Sequence, residues 1–288
     1  MNREHPEYLV ETEWLADHLG DPALRVLDCT AILHALPDGG YRAESGRATW
    51  ASGHIPGSGF ADLTTELSDQ TSALRFMMPP VAQFAAAMGA LGVGDGTRVV
   101  LYDRALNMWA ARVWWMLRAV GFDNAAVLNG GWRKWTIEGR AVSTDPCTYP
   151  PTRFVPHPGR DVFANKAAVL AGLRDKATCV VNALTEEQHR GTGGVHYGRP
   201  GRIAGSTNVP ARSLVDSKHA YLPFDELRKR FAESGALASG RVITYCGGGI
   251  AASSDAFVLA MLGHDDVAVY DASLSEWAAD PSLPMETG

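Results

Sequence analysis

The feature of this chain that most constrains its fold is an internal repeat. Residues 98–135 can be aligned with residues 241–277, and identical residues recur in the same order once a length difference of one residue is allowed. The matched positions are Arg98 with Arg241, Val99 with Val242, Tyr102 with Tyr245, Gly121 with Gly263, Asp123 with Asp265, Ala126 with Ala268, Val127 with Val269 and Trp135 with Trp277. We therefore expect two similar halves.

Earlier segments of the two halves also correspond. The run "LRVLDCT" (24–30) resembles "TCVVNAL" (178–184), and "SGHIPGSGFADL" (52–63) resembles "PGRIAGSTNVPA" (200–211). Each half therefore reads as strand, loop, glycine-rich turn, helix, strand, loop, helix and strand. This alternation is typical of a parallel sheet covered by helices on both faces. The sequence predicts an α/β fold of two tandem domains, each with a mostly parallel sheet.

The boundary between the halves is predicted in a proline-rich segment. Residues 143–160 carry five prolines, which disfavour helices and sheet interiors and favour an extended connector. The predicted division is an N-terminal domain at 1–142, a linker at 143–160 and a C-terminal domain at 161–288. A helix is expected at about 108–120, with its tryptophans packed in the core and against the other domain.

Composition and charge limit the partners. The chain has 288 residues, of which 46% are hydrophobic and 20% charged, as expected for a globular protein with a sizeable core. Its net charge of −6 argues against nucleic-acid binding, which needs clustered Lys and Arg, and favours a small-molecule partner. The N-terminal segment mixes charges, and no apolar stretch approaches the roughly 20 residues of a membrane span. We therefore expect a cytoplasmic protein that has no membrane partner.

The four cysteines are too scattered for a disulfide framework or for the CxxC pairs of a zinc site, so free thiols and no metal are expected. Cys29 and Cys179 fall within or beside strand-like runs, where a buried and inert thiol is usual. Cys147 lies in the linker, where it is expected to be exposed and without a role. The remaining cysteine, Cys246, has a different setting.

Cys246 stands where a strand turns into a helix. The run "RVIT" precedes "YCGGGIAA" (245–252), and "SSDAFVLAML" after it is typical of a helix. Cys246 is therefore predicted at the carboxyl end of a parallel strand, where such sheets bind ligands. Three glycines permit positive φ and let successive N–H groups turn inward as an anion-binding nest, to which the helix N-terminus adds its dipole.

These effects stabilise a thiolate or a persulfide, so Cys246 is the candidate nucleophile. The residues expected around its substrate are Gly247, Gly248, Gly249, Ile250 and Ala251. In the alternative interpretation, Cys246 has only a structural role, as a small buried hydrophobic residue beside a tight turn. A tyrosine-phosphatase loop, Cys-x5-Arg, is a poorer match because it needs an arginine to clamp phosphate and position 252 is alanine.

Taken together, these segments resemble the two-domain rhodanese-type sulfurtransferases, a group that includes thiosulfate sulfurtransferase and 3-mercaptopyruvate sulfurtransferase. The resemblance rests on "LRVLDCT", "GHIPG", "RVVLYD", "ARVWWMLRAVG", "VLNGGWRKW", "ITYCGGGIAA" and "AVYDASLSEW", and it covers nearly the whole chain. It implies two tandem rhodanese-like domains, of which the C-terminal one is catalytic. Asp103 occupies the N-terminal slot that matches Cys246.

The resemblance also implies a double displacement. Cys246 takes a sulfane sulfur from a small anionic donor, becomes a persulfide, and passes the sulfur to a thiophilic acceptor such as cyanide or a thiol, a thiol-carrying protein included. Amide donors around the terminal sulfur suit this transfer, and no metal or organic cofactor is required. The competing hypothesis is a catalytically weak module that binds partners or carries sulfur within a complex.

Several positions depart from both donor classes of the family. Thiosulfate enzymes carry basic residues in the loop and mercaptopyruvate enzymes a serine two positions after the cysteine, but this chain has Gly247 and Gly248. Phe76 stands where mercaptopyruvate enzymes place a histidine, and His54 belongs to a turn motif. Thiosulfate needs no proton relay, because sulfite can leave unprotonated. Thiosulfate is therefore the predicted donor, and 3-mercaptopyruvate is the alternative.

The cation expected to hold an anionic donor is also displaced. Where the family commonly has an arginine before an "RG-T" segment, this chain has Gln188. Arg190 and Arg199 lie nearby in the sequence and are the candidate donor-binding residues, although each is equally a solvated loop arginine. The N-terminal counterpart loop, which contains Arg104, is expected to be structural, with Asn107 capping the helix after it.

Overall fold

A computed structural model describes residues 3–36, 40–157 and 160–288, and its first half contains one five-stranded sheet. The strands of this half are β1 (Leu9–Val10), β2 (Leu24–Asp28), β3 (Ala31–Ala35), β4 (Tyr41–Ser45), β5 (Gly59–Phe60), β6 (Arg98–Tyr102) and β7 (Ala125–Leu128). The helices are α1 (Thr12–His18), α2 (Arg47–Ala51), α3 (Val81–Ala90), α4 (Met108–Ala119) and α5 (Gly131–Ile137). The sheet order is β1-β7-β6-β2-β5, with every pair parallel, and β3 and β4 form a separate hairpin.

The second half repeats this architecture. Its strands are β8 (Phe163–Ala164), β9 (Thr178–Asn182), β10 (Arg202–Ile203), β11 (Thr207–Asn208), β12 (Arg241–Tyr245), β13 (Val267–Tyr270) and β14 (Met285–Glu286). Its helices are α6 (Lys166–Gly172), α7 (Glu186–Arg190), α8 (Phe224–Glu233), α9 (Ile250–Met261) and α10 (Ser273–Trp277). The sheet order is β11-β9-β12-β13-β8, again all parallel. The predicted α/β class with two tandem domains is confirmed.

The central strands are almost entirely apolar because both faces of each sheet are covered. In β6 and β12, every residue after the leading arginine is buried, which is typical of parallel strands between helical layers. Across the described residues, no helix is both long and apolar enough to cross a membrane.

Helices α4 and α9 pack against each other between the two sheets. The predicted helix at about 108–120 is present as Met108–Ala119, and Trp109, Trp114 and Trp115 in it are buried. Trp114 packs edge-on against Phe257 of α9, with ring centroids 4.9 Å apart. The tryptophans therefore serve the core and the interface between the halves, as expected.

The same tyrosine contact anchors the end of the central strand in both halves. The Tyr102 hydroxyl lies 2.9 Å from the Ser58 hydroxyl, and the Tyr245 hydroxyl lies 2.7 Å from the Ser206 hydroxyl. Both serines belong to the glycine-rich turns that the sequence repeat paired. The repeat therefore preserves the contact that positions the residue immediately after each central strand.

The proline-rich segment follows the surface of the first half. No helix or strand element occurs between α5 and β8 in the described part of that segment. The Tyr149 hydroxyl accepts from the Val26 N–H at 2.9 Å and donates to the Gly57 carbonyl at 2.6 Å, while the His157 N–H donates to the Val120 carbonyl. The segment is extended, as expected, and the proposed domain boundaries stay a prediction.

One buried acid in α9 has no partner. Asp255 is fully buried, and neither of its carboxyl oxygens has a hydrogen-bond partner among the residues that the structure describes. Burial raises the pKa of Asp255 well above its ordinary value of 3.8 and so favours the neutral form of this carboxyl in the folded protein.

We predict that Asp255→Leu stabilises the protein increasingly as the pH rises. Above about pH 4 the unfolded chain releases a proton that the folded chain keeps, so wild-type stability falls by up to about 1.4 kcal/mol per pH unit until the folded pKa is reached. Leucine has the same side-chain branching and no such dependence. Urea unfolding at pH 4 and pH 8 measures the gain, with the exposed Asp95→Leu as control. An equal gain at both pH values would show that Asp255 is not held neutral.

Candidate active site

Cys246 lies in the loop between β12 and α9 and is almost completely buried, with 3% of its surface exposed. The N–H groups of Cys246 and Gly249 both donate to the Ser273 hydroxyl at 3.1 Å. The Ser273 hydroxyl in turn donates to the Tyr270 carbonyl at 2.7 Å. One serine at the start of α10 therefore holds both ends of the loop.

The loop carbonyls are also fixed by α10. The Cys246 carbonyl accepts from the Leu274 N–H at 3.0 Å, and the Gly247 carbonyl accepts from the N–H and hydroxyl of Ser275 at 2.9 and 2.7 Å. In a trans peptide the N–H points opposite to the carbonyl of the preceding residue, and the described chain has no cis peptide. The N–H groups of Gly247 and Gly248 therefore point away from α10.

Four backbone donors beside the cysteine are free of protein partners. The N–H groups of Gly247, Gly248, Ile250 and Ala251 donate to no acceptor in the part of the chain that the structure describes. Two belong to the loop, and two to the first turn of α9, where helix geometry leaves N–H groups unpaired. An anion attached to Cys246 can accept several of these bonds and also gains from the α9 dipole.

The three glycines do different things. Gly249 has φ of +78°, and a Cβ there would lie 2.9 Å from the Asp271 carbonyl oxygen and 3.2 Å from Nη1 of Arg112. Gly247 and Gly248 are not in the positive-φ region, although three consecutive glycines would permit it. A Cβ at Gly248 would have no neighbour closer than 3.8 Å. Only Gly249 is required by backbone conformation.

The counterpart loop of the first half already holds an anion. The Asp103 carboxylate accepts four backbone bonds, from the N–H groups of Ala105 (2.7 Å), Asn107 (3.1 Å), Trp109 (2.8 Å) and Ala110 (2.9 Å). Burial raises the pKa of Asp103 to about 6, while the bonds from Ala110 and Ala105 act in the opposite direction. This loop architecture therefore binds an anion in one half, and in the other it presents a cysteine.

Of two neighbours of Asp103, Asn107 differs from expectation and Arg104 agrees with it. Asn107 precedes α4 with φ of +62°, but its side chain does not cap the helix, because Asp103 already takes those N–H groups. The Asn107 amide donates instead to the His219 carbonyl of the second half at 2.7 Å. Arg104 is structural as expected, since it lies 3.4 Å from the Asp28 carboxylate and 4.1 Å from the Trp132 ring centre.

Cys246 opens onto a cavity of about 610 Å³ between the two halves. Its apolar lining from the first half comprises Ala31, Ile32, Leu33, Phe76, Ala105, Leu106, Met108 and Trp109, and that from the second half includes Ala183, Leu184, Ala211 and Ile250. Gly248 and Ala251 of the cysteine loop also line it. The volume suits a small organic ligand, and the two halves build the site jointly.

The predicted arginines do not reach this cavity. Arg190 is 59% exposed and pairs with Glu186 at 3.4 Å on the surface of α7. Arg199 donates to four backbone carbonyls, those of Trp277, Ala278, Asp280 and Leu283, at 2.6–3.1 Å. The structure therefore does not bring either arginine to the cavity that contains Cys246. Arg190 points to solvent, and Arg199 is used to fasten the C-terminal segment.

Three other arginines, none of which carries a sequence signal for donor binding, line the cavity. Arg75, Arg104 and Arg212 contribute to its wall. Arg75 donates to the Tyr41 carbonyl, and Arg104 is committed to Asp28. The guanidinium of Arg212 has no hydrogen-bond or ion-pair partner among the described residues. Nothing in the local sequence around Arg212 marks it as a ligand, because its place depends on how the loop after β11 folds.

Two residues that stand where family members have a catalytic or donor-binding side chain lie at the cavity. Phe76 and Gln188 both line the cavity. The Gln188 amide donates to the Val195 carbonyl at 2.7 Å and completes a capping box with Thr185, so it serves the fold of α7. His54 is fully buried, and its ring nitrogens lie 2.9 and 3.0 Å from backbone carbonyls, away from the cavity. His54 therefore has the turn role that was expected.

The other three cysteines lie apart from the cavity wall. Cys29 is fully buried, and burial raises its pKa well above the ordinary value. Cys179 is half-buried, 3.6 Å from the Thr207 hydroxyl. Cys147 is half-buried rather than exposed, and its thiol lies 3.0 Å from the Gly57 carbonyl. All four cysteines are free thiols, as expected.

Two α/β halves, one with a cysteine loop and one with an acid in the matching loop, define a tandem rhodanese-like protein. The family model described as "Rhodanese-like domain" matches residues 11–138 and 167–280, so the chain belongs to the rhodanese family. The chain is 34% identical to the thiosulfate sulfurtransferase of Cricetulus griseus over 97% of its length and 95% of that relative.

Two further comparisons agree with the assignment to the rhodanese family. The chain is 30% identical to the sulfur carrier protein TtuD of Thermus thermophilus, over all of this chain and 99% of the relative. Its structure resembles that of SseA from Escherichia coli, described as a 3-mercaptopyruvate sulfotransferase, with a TM-score of 0.81, 29% identity and coverage of 93% and 99% of the two chains. The protein is a sulfurtransferase.

We predict that Gly249→Ala destabilises the protein and that Gly248→Ala does not. Alanine at 249 must adopt positive φ and meets the Asp271 carbonyl, a strain of about 1–3 kcal/mol. Alanine at 248 meets open space. Denaturant unfolding gives both free energies. Equal stability of the two variants would show that the loop does not depend on the conformation of Gly249.

Proposed function

We propose that this sulfurtransferase moves a sulfane sulfur from thiosulfate to a thiophilic acceptor, through a persulfide on Cys246. The observation that carries the proposal is the set of partner-free N–H groups beside Cys246. Asp103 supports it, because in the matching loop of the other half a carboxylate accepts bonds from four backbone N–H groups. The anion that the Cys246 loop would hold is the charged outer sulfur of the persulfide.

The reaction then has two displacements. The Cys246 thiolate attacks the outer sulfur of thiosulfate, the sulfur–sulfur bond of the donor breaks, and its electron pair leaves with sulfite. The acceptor, cyanide or a thiolate, next attacks the outer sulfur of the persulfide, and the electron pair of that bond returns to Sγ. The thiolate is regenerated, and with thiosulfate and cyanide no proton is supplied at either step.

Two features favour thiosulfate as the donor. Position 76 is phenylalanine and position 248 is glycine. The histidine and the serine of a proton relay are therefore both absent from these two positions. Arg212 lines the cavity and makes no hydrogen bond or ion pair among the described residues, although its charge interacts with that of Glu187, and a dianionic donor needs charge anchoring more than proton transfer.

The second candidate donor is 3-mercaptopyruvate, and the cavity favours it. A volume of about 610 Å³ exceeds what thiosulfate fills, and Arg212 can bind a carboxylate through two parallel hydrogen bonds. The same attack on sulfur would then break a carbon–sulfur bond and release the enolate of pyruvate, which must be protonated. The loss of that proton relay is the reason for ranking this donor second.

A thiol-carrying protein is a proposed acceptor, and a weaker module that only carries sulfur is the remaining alternative. The relative named as a sulfur carrier protein supports both ideas. Sulfur transfer by purified protein distinguishes them, because a carrier alone forms the persulfide without rapid turnover with cyanide.

We predict that Cys246→Ser lowers thiosulfate:cyanide sulfur transfer by about a thousandfold, because a serine here has no adjacent base to activate it. The fold should be retained, as judged by circular dichroism. Cys147→Ser, at a half-buried thiol outside the cavity, is the matched control and should keep wild-type turnover. Retention of a tenth of the activity in Cys246→Ser would exclude it as the nucleophile.

We predict that Arg212→Ala raises KM for thiosulfate by about tenfold, or about 1.4 kcal/mol, because the cavity loses its uncommitted cation. Arg190→Ala, at an exposed arginine outside the cavity, should leave KM unchanged. Steady-state kinetics with thiosulfate and with 3-mercaptopyruvate test this together with donor choice. A kcat/KM at least tenfold higher for 3-mercaptopyruvate would reverse the donor assignment.

A further inference from the structure

A phenol lies directly over the cysteine loop. Tyr197 belongs to the glycine-rich segment between α7 and β10, and its ring occupies the space beside Gly247. A Cβ at position 247 would overlap Cε1, Cζ and the hydroxyl oxygen of Tyr197. The absence of a side chain at Gly247 is therefore what admits the phenol next to Cys246.

The Tyr197 hydroxyl is an uncommitted donor. It makes no hydrogen bond to any residue that the structure describes, including Cys246, and the ring lines the same cavity as the thiol. Burial and then the negative charge of Cys246 raise the pKa of Tyr197 above its ordinary value, while Arg75 acts in the opposite direction. The phenol therefore stays protonated at neutral pH.

We propose that the Tyr197 hydroxyl donates a hydrogen bond to the outer sulfur of the Cys246 persulfide. A persulfide adds a second sulfur about 2 Å beyond Sγ. The Tyr197 hydroxyl makes no hydrogen bond to Sγ of Cys246, and it lies on the side of the loop that faces the cavity. The amides of Gly247 and Gly248 and the phenol would then surround the same charged sulfur. This inference rests on the persulfide of the proposed function and adds a donor to it.

The hydrogen bond changes no covalent bond of the tyrosine. The persulfide forms and is consumed as described above, and the phenolic proton stays on oxygen throughout. Its effect is to favour the anionic form of the outer sulfur over the protonated form, and so to lower the pKa of the persulfide. The ring packing alone would be kept by phenylalanine, so the hydroxyl can be tested separately.

The experiment uses the full-length chain as wild type, Tyr197→Phe and Tyr41→Phe. Tyr41 is a matched control because it is a second cavity phenol whose ring centre is 6.2 Å from that of Tyr197. Cys246 is loaded with inorganic polysulfide. The thiolate attacks the terminal sulfur of the polysulfide, and the shortened polysulfide chain leaves with the electron pair of the broken sulfur–sulfur bond. The rate of sulfur release to cyanide is measured against pH, and alkylation of the unloaded thiol is measured over the same range.

In Tyr197→Phe we expect the pH midpoint of the persulfide to rise by about one unit, the size of one charge-assisted hydrogen bond, while the midpoint for the unloaded thiol stays in place. Tyr41→Phe should move neither midpoint. An unmoved persulfide midpoint, or an equal shift in loaded and unloaded protein, overturns the proposal, as does an equal shift in Tyr41→Phe.

Two further results keep the test decisive. Gly247→Ala displaces the ring while keeping the hydroxyl, and it should raise the persulfide midpoint in the same way if Tyr197→Phe fails to fold. Polysulfide loads the cysteine without thiosulfate or 3-mercaptopyruvate. If wild type accepts neither of those donors, the proposed function fails, and the polysulfide measurement still decides the role of Tyr197.

Discussion

The orientation of two peptide groups determines what this site can do. Hydrogen bonds from Leu274 and Ser275 hold the carbonyls of Cys246 and Gly247 against α10, and the amides of the next residues must then point the other way. The donors for an anion are therefore backbone groups fixed by the fold. Because they need no side-chain rearrangement, they can stabilise charge on sulfur without further reorganisation.

The duplicated fold contains its own comparison for this loop. In the first half, Asp103 fills the nest with a carboxylate that belongs to the chain, so that loop is closed to ligands. In the second half, the side chain of Cys246 is shorter than that of Asp103. It would place a charged atom as far from the backbone as the Asp103 carboxylate only when a further atom is attached to its sulfur. The loop of the first half thus closes on a carboxylate of the chain itself, whereas the loop of the second half leaves N–H groups unpaired beside a cysteine.

The sequence predicts well those features that depend on local pattern. Strand β12, the loop at Cys246 and helix α9 are recognisable because β-branched residues, glycines and helical periodicity follow one another. Arg190 and Arg199 do not reach the cavity, because a side chain in a loop can turn to solvent or to backbone carbonyls, and neighbouring sequence does not decide which. Tyr197 was missed for the same reason. Its only signal is indirect, since position 247 must lack a side chain for the ring to fit.

The first half, whose matching loop carries Asp103 instead of a cysteine, contacts the base of the cysteine loop. Arg112 of α4 is fully buried, lies 2.7 Å from the Asp271 carboxylate, and reaches the space beside Gly249. The other oxygen of Asp271 accepts from the Met78 N–H at 2.8 Å. Two segments of the first half thus converge on the residue that follows β13, directly under the loop. Separating a buried pair of this kind leaves an uncompensated charge, which is strongly unfavourable. The first half therefore supplies buried contacts beneath the cysteine loop of the second half, and it also supplies part of the cavity wall.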